Sequence, residues 1–284
     1  MTAEPRAIVE VRWGPLASRK ALIAPGAALR VGRAPPSDLV VPHDAKMNAV
    51  HFELRWDGSR CDLRDLGSAD GTSIEGAPVT EGIVQHGAWL RAGDTVFTLH
   101  VEGATTRPPR PHADPPRVAA AKEQAHAALL AEPAPLFALL DAARDDRILQ
   151  ILRESPEQHR SLYDGTQGDA LAEVAPYLVT LPRGSALLER LVHEGWGQSW
   201  GVYFTSARRL EDLRRHFRRL LMVKLDDGAR RVYFRFYDPR VLRVVLPTCS
   251  ARQDEEMFGD REVQRFLVEG EQGEALRFAP REAS

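Results

Sequence analysis

Cysteine is scarce in these 284 residues: there are two, Cys61 and Cys249, far apart and without a ligand-spaced histidine beside either. That excludes a disulfide framework and a zinc ribbon, and it fits a reducing, cytoplasmic setting. Long apolar runs are also missing. Nowhere do about 18 apolar residues follow one another, and the opening MTAEPRAIVEVRW has no export-type hydrophobic segment, so neither a membrane span nor a signal peptide is expected. Charge of one sign is not in excess: Lys+Arg 38 against Asp+Glu 40 leaves a formal net charge of -2. Composition therefore supplies no drive toward nucleic acid or an anionic membrane, and any basic site has to be local. The common catalytic signatures are absent as well. There is no phosphate-binding G-x-x-x-x-G-K-[ST] and no dinucleotide fingerprint after a strand, and His193-Glu194 lacks the second histidine of a zinc protease helix. No cofactor and no metal are expected.

What is present suggests two domains. The 43% hydrophobic content over 284 residues exceeds one usual core, and the sharpest break is ATTRPPRPHADPPR at residues 104–117, where proline and arginine replace apolar residues. Such a segment reads as an extended linker of up to roughly 40 Å at about 3.1 Å per residue. It divides residues 1–103 from residues 118–284. Before it, Phe52, Leu54 and Trp56 alternate with polar residues, as do Cys61 and Leu63, with Asp57-Gly58 between as a hairpin turn. Short runs of this kind, punctuated by Gly, Pro and Asp, predict an all-β sandwich. After it, strand-length runs (LFALLDAA, YLVTL, GVYFTS, LLMVKL, VYFRFY) alternate with helical periods such as Leu210, Leu213, Phe217 and Leu220. That alternation predicts an α/β domain with a largely parallel or mixed sheet and crossover connections. LFALL, apolar throughout, fits a buried helix as well as a strand. In VYFRFY the alternation predicts that Tyr233, Arg235 and Tyr237 face solvent or a partner.

The first region carries Val31-Gly32-Arg33, Ser37-Asp38-Leu39, His51, Asp65-Leu66-Gly67-Ser68-Ala69-Asp70-Gly71-Thr72, Leu90 and Gly93-Asp94. In order and spacing this set resembles the forkhead-associated (FHA) family, a β-sandwich whose end loops bind phosphothreonine peptides. The resemblance covers residues 6–102. It implies phosphopeptide-site equivalents at Arg33, Asn48, His51, Ser68, Asp70, Gly71 and Thr72, with His51 as a brace for the loops. Several departures stand out. The family's phosphate-binding serine is Asn48 here, its neighbouring donor is Ala49, its loop threonine is Ala69 and its peptide-reading asparagine is Asp70. A carboxylate at Asp70 would repel a phosphate. The resemblance thus implies a degenerate site serving protein docking, with a phosphothreonine-dependent signalling scaffold as the alternative.

The second region carries LFALLDAAR, SLYDG, APYLVTL, EGWGQSWGVYFTS, LRRHFRRLLMV and, most distinctively, Arg235-Phe236-Tyr237-Asp238-Pro239-Arg240. The series resembles the adaptor domain, formerly of unknown function, that loads type VI secretion effectors. The resemblance implies a non-enzymatic chaperone whose partners are the effector's N-terminal segment and the VgrG spike protein. The family's usual helical extension is shortened here to about thirty residues, expected as a short helical tail. Contact residues for such partners are placed at Arg214, Arg218, Tyr233, Arg235, Tyr237, Asp238 and Arg240. Arg208, Arg209, Arg214, Arg215, Arg218 and Arg219 surround an apolar stripe, either as a solvated face or as a rim for an acidic partner. The Asp238-Pro239 pair is expected to end a strand in a turn, with Asp238 accepting from amides or pairing with Arg235 or Arg240.

One pattern points to catalysis. Gly197-Gln198-Ser199-Trp200-Gly201 fits the G-x-S-x-G nucleophile elbow, which needs a strand before the serine and a helix after it. Here the periods predict the reverse order. Asp212 and His216, the available acid and base, lie one helical turn apart on a later helix. A serine hydrolase using Ser199 is therefore the disfavoured reading, and no catalytic residue is assigned.

Overall fold

The structure is a computed structural model that describes residues 4–105, 114–224, 231–259 and 261–281. The chain forms two compact units, Met1–Thr106 together with Arg153–Gln158, and Arg107–Leu152 together with His159–Ser284.

The first unit is all β. Its strands are β1 (Ala7–Val11), β2 (Lys20–Ile23), β3 (Ala28–Gly32), β4 (Leu39–Val40), β5 (Phe52–Trp56), β6 (Cys61–Asp65), β7 (Thr72–Ile74), β8 (Ala77–Val79), β9 (Glu81–Val84), β10 (Trp89–Ala92) and β11 (Thr95–Val101). They form two sheets, β2-β1-β11-β10-β7-β8 and β4-β3-β5-β6-β9. Val9, Leu90, Phe97 and Leu99 of one meet Val31, Phe52, Leu54 and Leu63 of the other. Each such side chain contributes about 1.5–3 kcal/mol by leaving water, and Phe52 and Phe97 add an edge-to-face contact at 5.6 Å. The expected hairpin joins β5 to β6 with Leu54 opposite Leu63 and Trp56 opposite Cys61. Only Gly58 of its Asp-Gly pair takes positive φ. Asp57 instead accepts from the amides of Ser59 and Arg60, both at 2.7 Å, and closes a longer loop.

The second unit opens with α1 (Pro116–Leu130), which begins inside the span expected as linker; residues 106–113 of that span lie outside the described residues. There follow β12 (Leu136–Asp141), α2 (Asp146–Arg153), β13 (His159–Ser161), α3 (Gly165–Ala170), β14 (Pro176–Leu181), α4 (Ala186–Gly195), β15 (Gly201–Thr205), α5 (Leu210–Leu220), β16 (Met222–Lys224), β17 (Arg231–Tyr233), α6 (Pro239–Thr248), α7 (Ala251–Phe258), β18 (Arg265–Glu269) and β19 (Ala275–Phe278). The main sheet runs β13-β14-β12-β15-β18-β19, while β16 and β17 pair apart from it.

The sheet is covered on both faces. Ala138, Leu140, Val179 and Tyr203 pack on one side with Ile148 and Ile151 of α2 and Leu188 and Leu191 of α4. Leu139, Leu178, Val202 and Phe204 pack on the other with Leu213 and Phe217 of α5, Leu242 of α6 and Phe258 of α7. Double coverage explains why LFALLD has no polar alternation and still forms a central strand.

The α/β layering agrees with the sequence, but three details differ. Every adjacent pairing in the main sheet is antiparallel, in place of the largely parallel or mixed arrangement expected. The α4 crossover does join two strands of like direction, β14 and β15, but β12 lies between them. VYFRFY is a strand only as far as Tyr233, and LLMVKL only from Met222, because Leu220 ends α5 and Phe236 turns into the core. The chain end is not a helical tail: after α7 it returns as β18 and β19 and completes the sheet.

Candidate functional site

In the first unit the loops after β3, before β5 and between β6 and β7 carry the residues singled out from the sequence. Gly32 is required by close approach, since a Cβ there would stand 2.2 Å from the Ala49 carbonyl oxygen. That approach lets the Arg33 amide donate to the Asn48 carbonyl at 2.9 Å and the Ser37 hydroxyl to the Ala49 carbonyl at 2.7 Å. His51 is fully buried. Its Nδ1 accepts from the Asn48 amide at 3.1 Å, so the proton sits on Nε2, which donates to the Gly71 carbonyl at 3.1 Å. Asn48 Oδ1 in turn accepts from the Ala69 amide at 3.2 Å. His51 thus bridges the loop before β5 and the loop before β7, and Asn48 joins it.

Ser68 and Thr72 are committed inward. Both hydroxyls donate to Asp65 Oδ2 at 2.6 Å, and the Gly67 and Ser68 amides donate to Asp65 Oδ1. Burial pushes the Asp65 carboxyl up, but these bonds outweigh it and hold it below the usual range. Asp44, which the sequence reading missed, works the same way. It accepts from Thr95 Oγ1 at 2.6 Å and from the amides of Asp94 and Lys46. Burial again opposes, and the bonds again win, leaving its pKa lowered. Gly93 sits against it at φ 58. The Gly93-Asp94 pair was the available signal, since the Asp94 amide needed an acceptor.

Arg33, Lys46, Asp70 and Gly71 remain exposed on these loops. Lys46 pairs with Asp94 at 2.7 Å, and this bond, with the fields of Asp94 and Asp70, raises its pKa. Arg33 makes no ion pair among the described residues. The loop end therefore shows two cations, Arg33 and Lys46, and two carboxylates, Asp70 and Asp94, with the Ser68 and Thr72 hydroxyls turned away.

In the second unit the Arg235-to-Arg240 motif starts a helix. Asp238 is the N-cap of α6, accepting from the Arg240 amide at 3.0 Å, and Pro239 occupies the first turn, where its missing N–H costs nothing. Arg240 also grips Asp238 through its guanidinium at 3.0 and 2.6 Å. Burial pushes the Asp238 carboxyl up, and these bonds bring it below the usual range. Arg235 instead pairs with Asp141, a carboxylate buried at the end of β12. The expected solvent-facing stripe holds for Tyr233 and Arg235 but not for Tyr237, which is buried because the chain leaves the strand before it. Tyr233 shares hydroxyl hydrogen bonds with Tyr163 at 2.8 Å and Tyr237 at 3.2 Å.

The arginines of α5 divide in two. Arg214 donates to the carbonyls of Ser161 at 2.7 Å and Tyr163 at 3.1 Å, and Arg218 pairs with Asp164. Arg215 and Arg219 are exposed, one turn apart. Beside them a concavity of about 420 Å³ is lined by Leu162, Tyr163, Leu171, Leu221, Met222 and Tyr233, with Asp164 and Arg218 at its rim. Sequence reasoning missed Leu171 and Met222, because a single exposed apolar residue carries no periodic signal.

Ser199 sits at φ 55 in the tight turn from α4 to β15, in the helix-to-strand order the sequence predicted. Its amide and that of Gly197 donate to Glu269. His216 is buried against the Met257 carbonyl at 3.1 Å, and Asp212 pairs with Arg215. Among the described residues no hydrogen bond joins Ser199, Asp212 and His216, and no group of acidic, histidine or cysteine side chains is arranged to hold a metal. No described helix is long and apolar enough to cross a membrane.

Comparison with known proteins agrees with this division. Residues 12–103 match the family model described as the inner membrane component of T3SS, cytoplasmic domain. Residues 136–256 match DUF4123, described as a domain of unknown function. A 71-residue stretch is 36% identical to the FHA domain-containing protein FhaA of Mycobacterium tuberculosis, covering 25% of this chain and 13% of that protein. Similar solved structures include an FHA domain from a study of phosphothreonine-dependent interactions, 26% identical over 37% of this chain and 99% of that one, with a TM-score of 0.31. Another is the FHA domain of an Arabidopsis thaliana hypothetical protein, 21% identical over 37% of this chain and 92% of that one, with a TM-score of 0.33. The chain joins an N-terminal FHA-like domain to a C-terminal DUF4123 domain.

Proposed function

We propose that this chain is a non-enzymatic adaptor of type VI secretion, acting in the bacterial cytoplasm. Its DUF4123 unit binds an effector's N-terminal segment and helps load it onto the VgrG spike, while its FHA-like unit docks a protein ligand. The observation that carries this reading is the surface around Tyr233. Exposed tyrosine, methionine and leucine lie beside exposed arginines there, the composition that anchors protein interfaces. Such an interface would bury on the order of 1,200–2,000 Å² in total, enough for co-purification. The Ser199 turn supports the non-enzymatic part, since its amides are engaged in holding Glu269. Co-expression with a VgrG spike protein and a type VI effector toxin from the same genome is the test. The tagged full-length chain should capture the toxin, through the toxin's own N-terminal segment, and the spike as well; capture of neither would overturn the adaptor role.

A second reading, phosphothreonine-dependent signalling, draws on Arg33 and Lys46, exposed cations on the loops where the FHA resemblance places phosphate. Ser68 weighs against it, because its hydroxyl already donates to Asp65, and so does the exposed Asp70. Micromolar binding of a phosphothreonine peptide, abolished by Arg33→Ala, would favour it.

A further inference from the structure

Two concavities of the DUF4123 unit share one residue. The first is the apolar groove, whose floor is Leu162 and Leu221 and whose walls include Leu171, Met222 and Tyr233. These three wall residues are 49%, 42% and 42% exposed, so the groove leaves large apolar surface in water. The second, about 520 Å³, runs along α5 between Arg214, Arg215, Arg218 and Arg219. Arg218 borders both. Arg218 therefore sets the apolar trough next to a strip of guanidinium groups.

The charges on that strip are only partly answered. Arg214 and Arg218 turn to Asp164 and to nearby carbonyls. Glu211, the acidic member of the strip, faces Arg160 at 3.2 Å. Arg215 meets Asp212 at 3.2 Å within its own helix, with its side chain 71% exposed, a pair of the kind worth little in water. Arg219 is exposed beside it. Positions 215 and 219 lie on the same helix face, so two cations point outward together. A membrane surface would satisfy the cations, but it would press Asp164, at the groove's own rim, against anionic headgroups. Nucleic acid would leave the Leu171 and Met222 side chains without a partner.

We propose that this surface receives an acidic amphipathic segment of a partner protein, its apolar side chains in the groove and its carboxylates along Arg215 and Arg219. The assignment rests on the adaptor reading for where such a segment comes from, and not for the surface itself. Guanidinium groups take carboxylates bidentately, which fixes the segment's orientation while the groove supplies the apolar burial.

The probe is a fluorescein-labelled synthetic peptide with leucines at helical i, i+3, i+4 spacing and glutamates beside them, titrated with the full-length protein. Its binding should weaken at least about tenfold in Arg215→Glu/Arg219→Glu and in Leu171→Asp/Met222→Asp, and it should fall as salt is raised. All four positions are exposed, so circular dichroism melts of both variants should match wild type. A matched peptide with lysine for glutamate should bind at least about tenfold more weakly. The proposal fails if the variants bind the acidic peptide as wild type does, or if the basic peptide binds equally well. It also fails if anionic vesicles or duplex DNA, but not the peptide, bind through these residues. Effector capture separates this outcome from the adaptor role. Capture that survives the groove variants overturns the groove alone, whereas peptide binding without effector capture overturns the adaptor role alone.

Discussion

Arg214 and Arg215 are neighbours in sequence with opposite expected responses to charge reversal. Arg214 donates through Nε to Ser161 and through Nη2 to Tyr163, with its side chain 19% exposed. Charge-assisted bonds contribute about 1.5–3 kcal/mol each, though not additively when they share one guanidinium. The third contact, to Asp164 at 3.4 Å, is solvent-screened and adds little. Arg214→Ala should therefore cost about 2–4 kcal/mol. Arg214→Glu should cost more, because a carboxylate would face two carbonyl oxygens and Asp164. At roughly 2–4 °C per kcal/mol, the DUF4123 unit should melt about 5–15 °C lower in Arg214→Ala. The damage should be local first: Ser161 and Tyr163 hold the end of β13, an edge strand paired to β14 by only three residues. Hydrogen exchange should accelerate in residues 159–164 before the central strands respond. Arg215→Glu should stay within about 0.5 kcal/mol of wild type. If Arg214→Ala melts with wild type and exchange at 159–164 is unchanged, Arg214 is no brace and the inward geometry has been misread.

The FHA-like unit should lose stability in acid. Asp44 and Asp65 both have folded-state pKa values below their ordinary ones, so the stability they contribute is present above about pH 4 and is lost as pH falls through the folded values, which a urea midpoint series from pH 6 to about 2 would reveal. Asp65→Asn should flatten that dependence. Phosphothreonine peptides should bind weakly or not at all, and Asp70→Asn should strengthen binding if its carboxylate is the obstacle; calorimetry showing micromolar wild-type affinity would contradict this. Ser199→Gly should melt at or slightly above wild type, by about 0.5–1 kcal/mol, since glycine takes φ 55 without strain. Ester turnover that vanishes in Ser199→Ala would instead make the serine a nucleophile.

The sandwich was legible because period-two burial is written in the residues themselves. Phe52, Leu54 and Trp56 face the core, and the polar residues between them do not. The loop end was legible in part. Gly32, His51 and Asp65 are recognisable residue types at fixed spacing, but which donor each satisfies depends on loops distant in sequence. Asp44 was missed for that reason, as its partners Asp94 and Thr95 lie about fifty residues on. In the second unit the strand and helix periods located most elements, whereas pairing direction is a long-range property. The strand-helix-strand run of β14, α4 and β15 does not say that β12 will come between its strands, and the run of β13, α3 and β14, which reads alike in sequence, pairs its strands antiparallel.

The Arg235-to-Arg240 motif shows how a distinctive sequence can serve a surface without forming it. Arg235 is held by Asp141 at the end of β12. Phe236 is fully buried and stacks on Phe217 of α5 at 5.5 Å, and Asp238 caps α6. Three successive anchors tie the segment after Tyr233 to the central strand, to the arginine helix and to the helix that follows. Tyr233 itself is hydrogen-bonded to Tyr163 and Tyr237, so the groove wall it forms inherits that rigidity. A wall fixed in advance loses little conformational entropy when a partner binds, and that saving is a direct contribution to affinity. On this argument the motif's polar residues are spent on conformation. The side chains left to meet a partner are the unremarkable ones nearby: Leu171, Met222, Arg215 and Arg219.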